Sequence, residues 1–299
     1  MTLERESVLE SFCGAGGMAG GFEPHFDIAH AFDIKPEAVR TYHQNHPRTS
    51  VRRLDIRNIT GCRADYDGVT GLIGGPPCQQ WSRRNLHRHE CDTREDLPAE
   101  FVRLVSEIRP RFFVMENVPT APKEEKFKVI RATEALGYTV ASVHVNAADY
   151  GAAQTRRRWI VIGQKGSSWR GARKRPPITV REAFATVPHL WGAMKCSESV
   201  VENMRHATPD AWTSSSGGSG YKNMIKLEMD KPAPTLVDLK HIYMVHPEEV
   251  RNISLAEGAA LQGFPGTYSW SGTESEIARM IANAMPTQLA AAIAESVVV

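Results

Sequence analysis

The chain has 299 residues, enough for one large domain or two small ones, and 41% hydrophobic with 23% charged content is ordinary for a globular protein. A net charge of +2 does not by itself indicate nucleic acid, no apolar run approaches the roughly 20 residues of a membrane span, and the charged start Met1 to Glu6 carries no export signal. The five cysteines (13, 62, 78, 91 and 196) are odd in number and lack metal-type spacing, as expected of reduced thiols in a cytosol. Basic residues cluster at Arg83-Arg84, Arg156 to Arg158 and Arg170 to Arg175; such runs are most often solvated faces, and they permit a phosphate partner.

In chain order, Ser7 to Phe12 reads as a first strand running into Cys13-Gly14-Ala15-Gly16-Gly17, where glycines let the backbone turn tightly and approach a ligand at a helix start. A second strand, Ile28 to Phe32, ends in Asp33 followed by Ile34. An acidic residue there is placed to accept hydrogen bonds from ribose hydroxyls, of a dinucleotide or of S-adenosylmethionine. The absence of a spaced Gly-x-Gly-x-x-Gly favours the latter. Pro36 opens a helix reaching about His43. Leu54-Asp55-Ile56 reads as the end of a third strand, where a loop aspartate such as Asp55 can cap the next turn.

The apolar run Val69 to Ile73 reads as a buried strand delivering Gly74-Gly75-Pro76-Pro77-Cys78-Gln79 to the carboxyl edge of a sheet, where open α/β folds hold ligands. A lone cysteine after a strand is usually a small core residue, but the two prolines fix the backbone that aims this one. Arg83 to Asp96 is polar and reads as a basic lid; its His87, His89 and Cys91 have no finger-like partner pair, so no metal is expected. Pro98 to Ile108 has helical spacing of apolar residues and stops at Arg109-Pro110. Phe112 to Met115 is a buried strand that finishes Glu116-Asn117-Val118-Pro119, putting Glu116 at the same edge as Cys78; alone, Glu116 would equally be an exposed strand end.

Lys123 to Leu136 reads as a helix stopped by Gly137, and Tyr138 to Val145 and Arg158 to Ile162 as strands. Between them, alternation puts Gln154, Arg156 and Arg158 on one face and Thr155 and Arg157 on the other. Residues 166 to 177 have linker composition, and 190 to 235 lack periodicity around Thr213 to Gly220. Helical spacing resumes at Ser254 to Gln262 before Gly263-Phe264-Pro265, and again from Glu274 to Val298, broken at Asn283-Ala284-Met285-Pro286.

Phe12-x-Gly14-x-Gly16-Gly17, Pro77-Cys78-Gln79, Glu116-Asn117-Val118, Gln154-x-Arg156-x-Arg158, Leu261-Gln-Gly-Phe-Pro265 and Asn283 stand in the order and at the spacing of the DNA cytosine-5 methyltransferases, and the chain resembles that family over most of its length. The resemblance implies an α/β fold: a mostly parallel, Rossmann-like S-adenosylmethionine-dependent methyltransferase sheet in residues 1–180, a smaller target-recognition domain in 181–270, and a C-terminal helix, 271–299, returning to the catalytic domain.

It implies S-adenosylmethionine as cofactor, held by Phe12, Gly14, Ala15, Gly16, Gly17, Asp33, Ile34, Asp55, Ile56, Pro77, Asn283 and Ala284. Cys78 would be the thiolate that adds to cytosine C6, and Glu116 would bind the N3 and amino edge with a pKa raised by burial. Arg158 would lie on the base O2 and Arg156 near the nucleophile, while Asn117 would join the Glu116 and Cys78 loops. The implied partner is duplex DNA with a flipped-out base, in a monomeric, cytoplasmic enzyme serving as the protective half of a restriction-modification system with a cognate endonuclease. Departures from the pattern are Ala282 where Gly is usual before Asn283, Gln80-Trp81 in the nucleophile loop, and a short recognition segment. The rival readings are an RNA methyltransferase of the same fold, a binding module without turnover, and a dinucleotide oxidoreductase. The last leaves Cys78 and Gln-x-Arg-x-Arg unexplained.

Overall fold

The computed structural model of the chain describes residues 5–59, 66–77, 96–193, 196–209, 213–215, 222–237, 239 and 243–297. The chain divides into two compact units: Met1–Asn146, Arg157–Arg173 and Ala290–Val299 form the first, and Ala147–Arg156 with Lys174–Leu289 form the second.

The first unit is built on strands β1 (Ser7–Ser11), β2 (Asp27–Asp33), β3 (Ser50–Arg53), β4 (Val69–Gly74), β5 (Phe112–Asn117) and β6 (Thr139–Asn146); after a short β7 (Gln154–Thr155) in the second unit, β8 (Arg157–Gln164) returns to it. The seven sheet strands run in the order β3-β2-β1-β4-β5-β8-β6, with β1 to β5 parallel and β8 antiparallel to both its neighbours. This is the mostly parallel α/β sheet expected. The order reverses between β1 and β4, and a ligand crevice belongs at the carboxyl ends of the strands beside that switch. The near-continuous burial of β1 and β4 is what a sheet covered on both faces demands.

Helices α1 (Gly17–Phe22), α2 (Pro36–Asn45), α3 (Leu97–Ile108) and α4 (Lys123–Ala135) connect these strands. The α3 helix starts where the Asp96 carboxylate accepts from Ala99 N (3.1 Å) and ends where Arg109 takes a left-handed backbone (φ 56°) before Pro110. Its Phe101, Leu104, Val105 and Ile108 face Leu9, Leu72, Phe113 and Met115 in one core. Each such side chain, fully buried, contributes about 1.5–3 kcal/mol.

The sequence reading needs two local corrections. The third strand ends at Arg53; Leu54 and Asp55 lie beyond it, and Ile56–Asn58 forms a single 3₁₀ turn. Glu116 and Asn117 lie within β5 rather than after it, because both stay paired with β8, opposite Ile160 and Trp159.

The second unit contains α5 (Val180–Phe184), α6 (Glu198–Arg205), β9 (Thr213–Ser215), β10 (Lys222–Lys226), β11 (Ala233–Pro234), β12 (Tyr243–Val245), α7 (Leu255–Leu261) and α8 (Glu274–Asn283); α9 (Thr287–Val297) begins in it and passes into the first. Strands β12, β10 and β9 form a small sheet over Val200, Met204, Met224 and Tyr243, and β11 pairs in parallel with β7. Capping boxes start three of its helices, at Thr179/Glu182, Ser254/Glu257 and Thr273/Glu276.

Candidate active site

In the first unit, the turn after β1 places Phe12, Gly14 and Gly16 at positive φ (52°, 52° and 83°). A Cβ built on Gly14 would meet nothing within 4 Å, so open space lies beside the backbone there. Across the turn, the Asp33 carboxylate accepts from Gly14 N (3.0 Å) and from Lys35 N (2.9 Å), one bond to each oxygen. Burial raises its pKa, while those two bonds oppose the rise. Each oxygen keeps a free lone pair for a hydroxyl donor. Ile34, the next residue, is a large apolar side chain 51% exposed at this edge.

These features fit the nucleoside half of S-adenosylmethionine: a carboxylate held for ribose hydroxyls, a glycine turn with room at its Cα, and an apolar surface for a purine. Ala15 and Gly17 are buried in the same turn. Asp55 accepts from Arg57 N (3.0 Å) and pairs with the Arg57 side chain (Nη2 to Oδ2, 2.6 Å), which holds its pKa below the usual carboxylate range. It caps the 3₁₀ turn, so its Oδ atoms are partly committed, and the buried Ile56 after it belongs to the hydrophobic core.

At the ends of β4 and β5, Glu116 and Arg158 form an ion pair (Oε1 to Nε, 2.5 Å) with side chains only 13% and 11% exposed. The pair is close because Arg158 lies on β8, whose ladder runs beside β5. The other Glu116 oxygen, Oε2, is 3.1 Å from where a Cβ on Gly75 would stand, so glycine lets the turn toward Cys78 pass beneath this carboxylate. Asn117 is 3% exposed; its amide donates to Pro76 O (3.3 Å) and its carbonyl accepts from Val118 N (2.6 Å), tying the end of β5 to the same turn. Pro76 is buried and Pro77 exposed. Cys78 and the stretch through residue 95, with His87, His89 and Cys91, lie outside the described residues.

Arg156, Asn283 and Ala284 belong to the second unit. Gln154 and Arg156 are buried and Thr155 exposed, as the alternation predicts. The Arg156 guanidinium donates to Leu236 O (2.7 Å) and Ala282 O (2.8 Å). Asn283 is exposed at the end of α8, and Ala284 is half-buried.

Sequence reasoning passed over Glu10. It stands in the middle of β1, 2% exposed, and accepts from the Tyr42 hydroxyl (2.8 Å). Its one signal was a lone charge inside the apolar run Val8-Leu9-Glu10.

The model of the C-5 cytosine-specific DNA methylases matches residues 7–186 and 179–298. A Type II methyltransferase of Haemophilus parahaemolyticus, M1.HphI, is 30% identical across 97% of this chain and 86% of its own length. M.FnuDI of Fusobacterium nucleatum, also a Type II methyltransferase, is 30% identical across 97% and 93%. Among solved structures, a DNA modification methyltransferase encoded within an E. coli prophage superposes with a TM-score of 0.76 at 24% identity, covering 97% of each chain. The S. pombe Dnmt2 methyltransferase superposes with a TM-score of 0.71 at 18% identity, covering 98% of each.

Proposed function

Because the chain belongs to the C-5 cytosine-specific DNA methylases, we propose that it methylates C5 of a flipped-out cytosine in a specific duplex DNA site, through an adduct between Cys78 and C6. Supporting this most directly is the half-buried Glu116–Arg158 ion pair beside the turn that leads toward Cys78. Withdrawing a charge pair from water is costly, and such pairs cluster where their donors and acceptors serve a site.

S-adenosylmethionine, when bound, supplies an electrophilic methyl group. Phe12, the Gly14–Gly17 turn, Asp33, Ile34, Asp55, Ile56, Pro77, Asn283 and Ala284 would hold it. Cytosine C5 is a weak nucleophile until the Cys78 thiolate bonds to C6 and shifts the C5=C6 electron pair onto C5. Glu116, once protonated from solvent, meets N3 and the exocyclic amine and gives that proton to N3 as negative charge accumulates. Arg158 holds O2 while orienting Glu116, and Asn117 fixes the spacing of the two loops. After C5 is alkylated, its proton is lost as H⁺, the C6–S bond breaks, and Cys78 leaves as thiolate. The N3 proton returns to Glu116. The target base must leave the duplex first, at a cost of a few kcal/mol.

The relatives' names place them among Type II methyltransferases. We propose, with that class in support of the protective role, an enzyme that acts as a monomer in the cytoplasm and protects sites that a cognate endonuclease would cut.

The test is a duplex pool carrying 5-fluorocytosine, incubated with S-adenosylmethionine and either wild type or Cys78→Ser. Fluorine cannot leave C5 as a proton does, so wild type alone should give a cofactor-dependent covalent adduct. An adduct on a tRNA pool in a parallel arm, and none on the duplex, would move the assignment to RNA. No adduct on either, with cofactor binding intact, would leave a binding module.

A further inference from the structure

The second unit contains a buried polar cluster to which the reaction steps above assign no task. Gln154 and Gln262 are both 0% exposed and Arg156 is 2% exposed. Gln262 Nε2 donates to Ile281 O (2.6 Å) and Ala284 O (3.2 Å), and Gln262 Oε1 accepts from Gln154 Nε2 (2.7 Å). Gln154 in turn donates to Leu261 O (3.0 Å) and accepts from Leu236 N (3.2 Å), while Arg156 joins Leu236 O to Ala282 O.

Arg156 and Gln262 direct donors to the last turn of α8. A helix leaves its final carbonyls without intrahelical donors. The residue that would serve Ala282 O, four positions on, is Pro286, which has no N–H. Arg156 provides the missing donor, and Gln262 holds the carbonyls on either side of it. Asn283 is therefore bracketed: Ile281, Ala282 and Ala284 are bonded through their carbonyls, while Asn283 is exposed and Ala284 half-buried. Two buried side chains, Arg156 and Gln262, satisfy one helix end, with Gln154 bonded to Gln262 behind them; burying such polar groups is costly unless they are hydrogen-bonded.

We propose that Gln154, Arg156 and Gln262 are positioning residues for the cofactor: together they clamp the end of α8 so that Asn283 and Ala284 meet S-adenosylmethionine in one fixed backbone conformation. The proposal rests on the reading above that Asn283 and Ala284 line the cofactor site. It gives the first arginine of Gln-x-Arg-x-Arg a task inside the second unit and leaves the base to Arg158.

The experiment measures S-adenosylmethionine Kd by calorimetry, kcat at saturating cofactor, and thermal midpoint for full-length wild type, Gln262→Met, Asn283→Ala and the double variant. Methionine keeps the shape of Gln262 and removes its bonds to Ile281 and Ala284. The clamp predicts about a tenfold rise in cofactor Kd for Gln262→Met, with kcat at saturation within about twofold. It also predicts that adding Gln262→Met to Asn283→Ala costs less than about threefold more, because both act through one contact. A lowered midpoint with Kd unchanged, or multiplicative effects in the double variant, would overturn it. Asn283→Ala binding cofactor like wild type would instead remove the reading on which it rests, and the proposal with it. Should Gln262→Met not fold, Arg156→Lys takes its place: the stem and charge remain, one of two carbonyl bonds is lost, and the same Kd shift and non-additivity are required.

Discussion

Replacing Glu10 by glutamine should alter how stability depends on pH, and the structure sets the size. Burial pushes the Glu10 carboxyl from its ordinary 4.5 up to about 8, with the Tyr42 hydroxyl opposing the rise and the neighbouring Glu23 and Asp33 carboxylates adding to it. Ala19 N–H also bonds to it, the Cys13 thiol lies close by, and Glu23 is itself paired with His46 (2.8 Å). A carboxyl whose folded pKa is raised binds its proton more tightly in the native state. Its contribution is complete below pH 4.5 and is lost as pH rises to about 8. One pKa unit corresponds to ~1.4 kcal/mol, so wild type should lose roughly 3 kcal/mol between pH 6 and 8 from this group alone. Glutamine has the same shape, can hydrogen-bond Tyr42, and does not titrate. Urea midpoints of the two proteins at pH 6, 7, 8 and 9 should therefore diverge steadily to pH 8 and run level above it, with glutamine increasingly the more stable. Curves that stay parallel from pH 6 to 9 would refute the protonated, buried carboxyl.

Gly75→Ala would set a methyl 3.1 Å from Glu116 Oε2, forcing that carboxylate to shift by a few tenths of an ångström. Turnover should fall by about tenfold or more with cofactor Kd unchanged, since misplacement of that order at a reacting group is expensive; wild-type kcat in single-turnover assays would contradict it. Ser254→Ala removes the hydroxyl that accepts from Glu257 N (3.2 Å) and leaves Glu257 reaching back to Ser254 N and to Arg251. It should cost about 1 kcal/mol in the second unit, read as a lower urea midpoint.

The strands that carry the chemistry were legible because each is a short apolar run closed by a glycine, a proline or a charge: Val69 to Ile73 before Gly74, and Phe112 to Met115 before Glu116. Asp33 could be placed because the largely apolar run Ile28 to Phe32 stops at it. Asp55 could not be settled from the chain, since capping and ligand binding ask for the same residue type; only its bonds to Arg57 show the cap. The destination of Arg156 was equally invisible, because its acceptors, Leu236 O and Ala282 O, lie far along the chain and are backbone atoms that no side-chain pattern encodes. For the same reason the unit boundary at Asn146 cannot be read locally: Gln154–Thr155 pairs with Ala233–Pro234, a ladder of only two residues.

That boundary bears on how the protein is made. The first unit lacks a helix contribution from Ala290–Val299 until all of 174–289 has been synthesised, and there Trp169 Nε1 donates to Ser296 Oγ (2.7 Å). The second unit in turn draws its β7 strand from residues translated before it begins in earnest. A growing chain usually folds domain by domain as it leaves the ribosome. Here each unit borrows from the other's stretch of sequence, so the first unit can be completed only after the whole of the second has been translated.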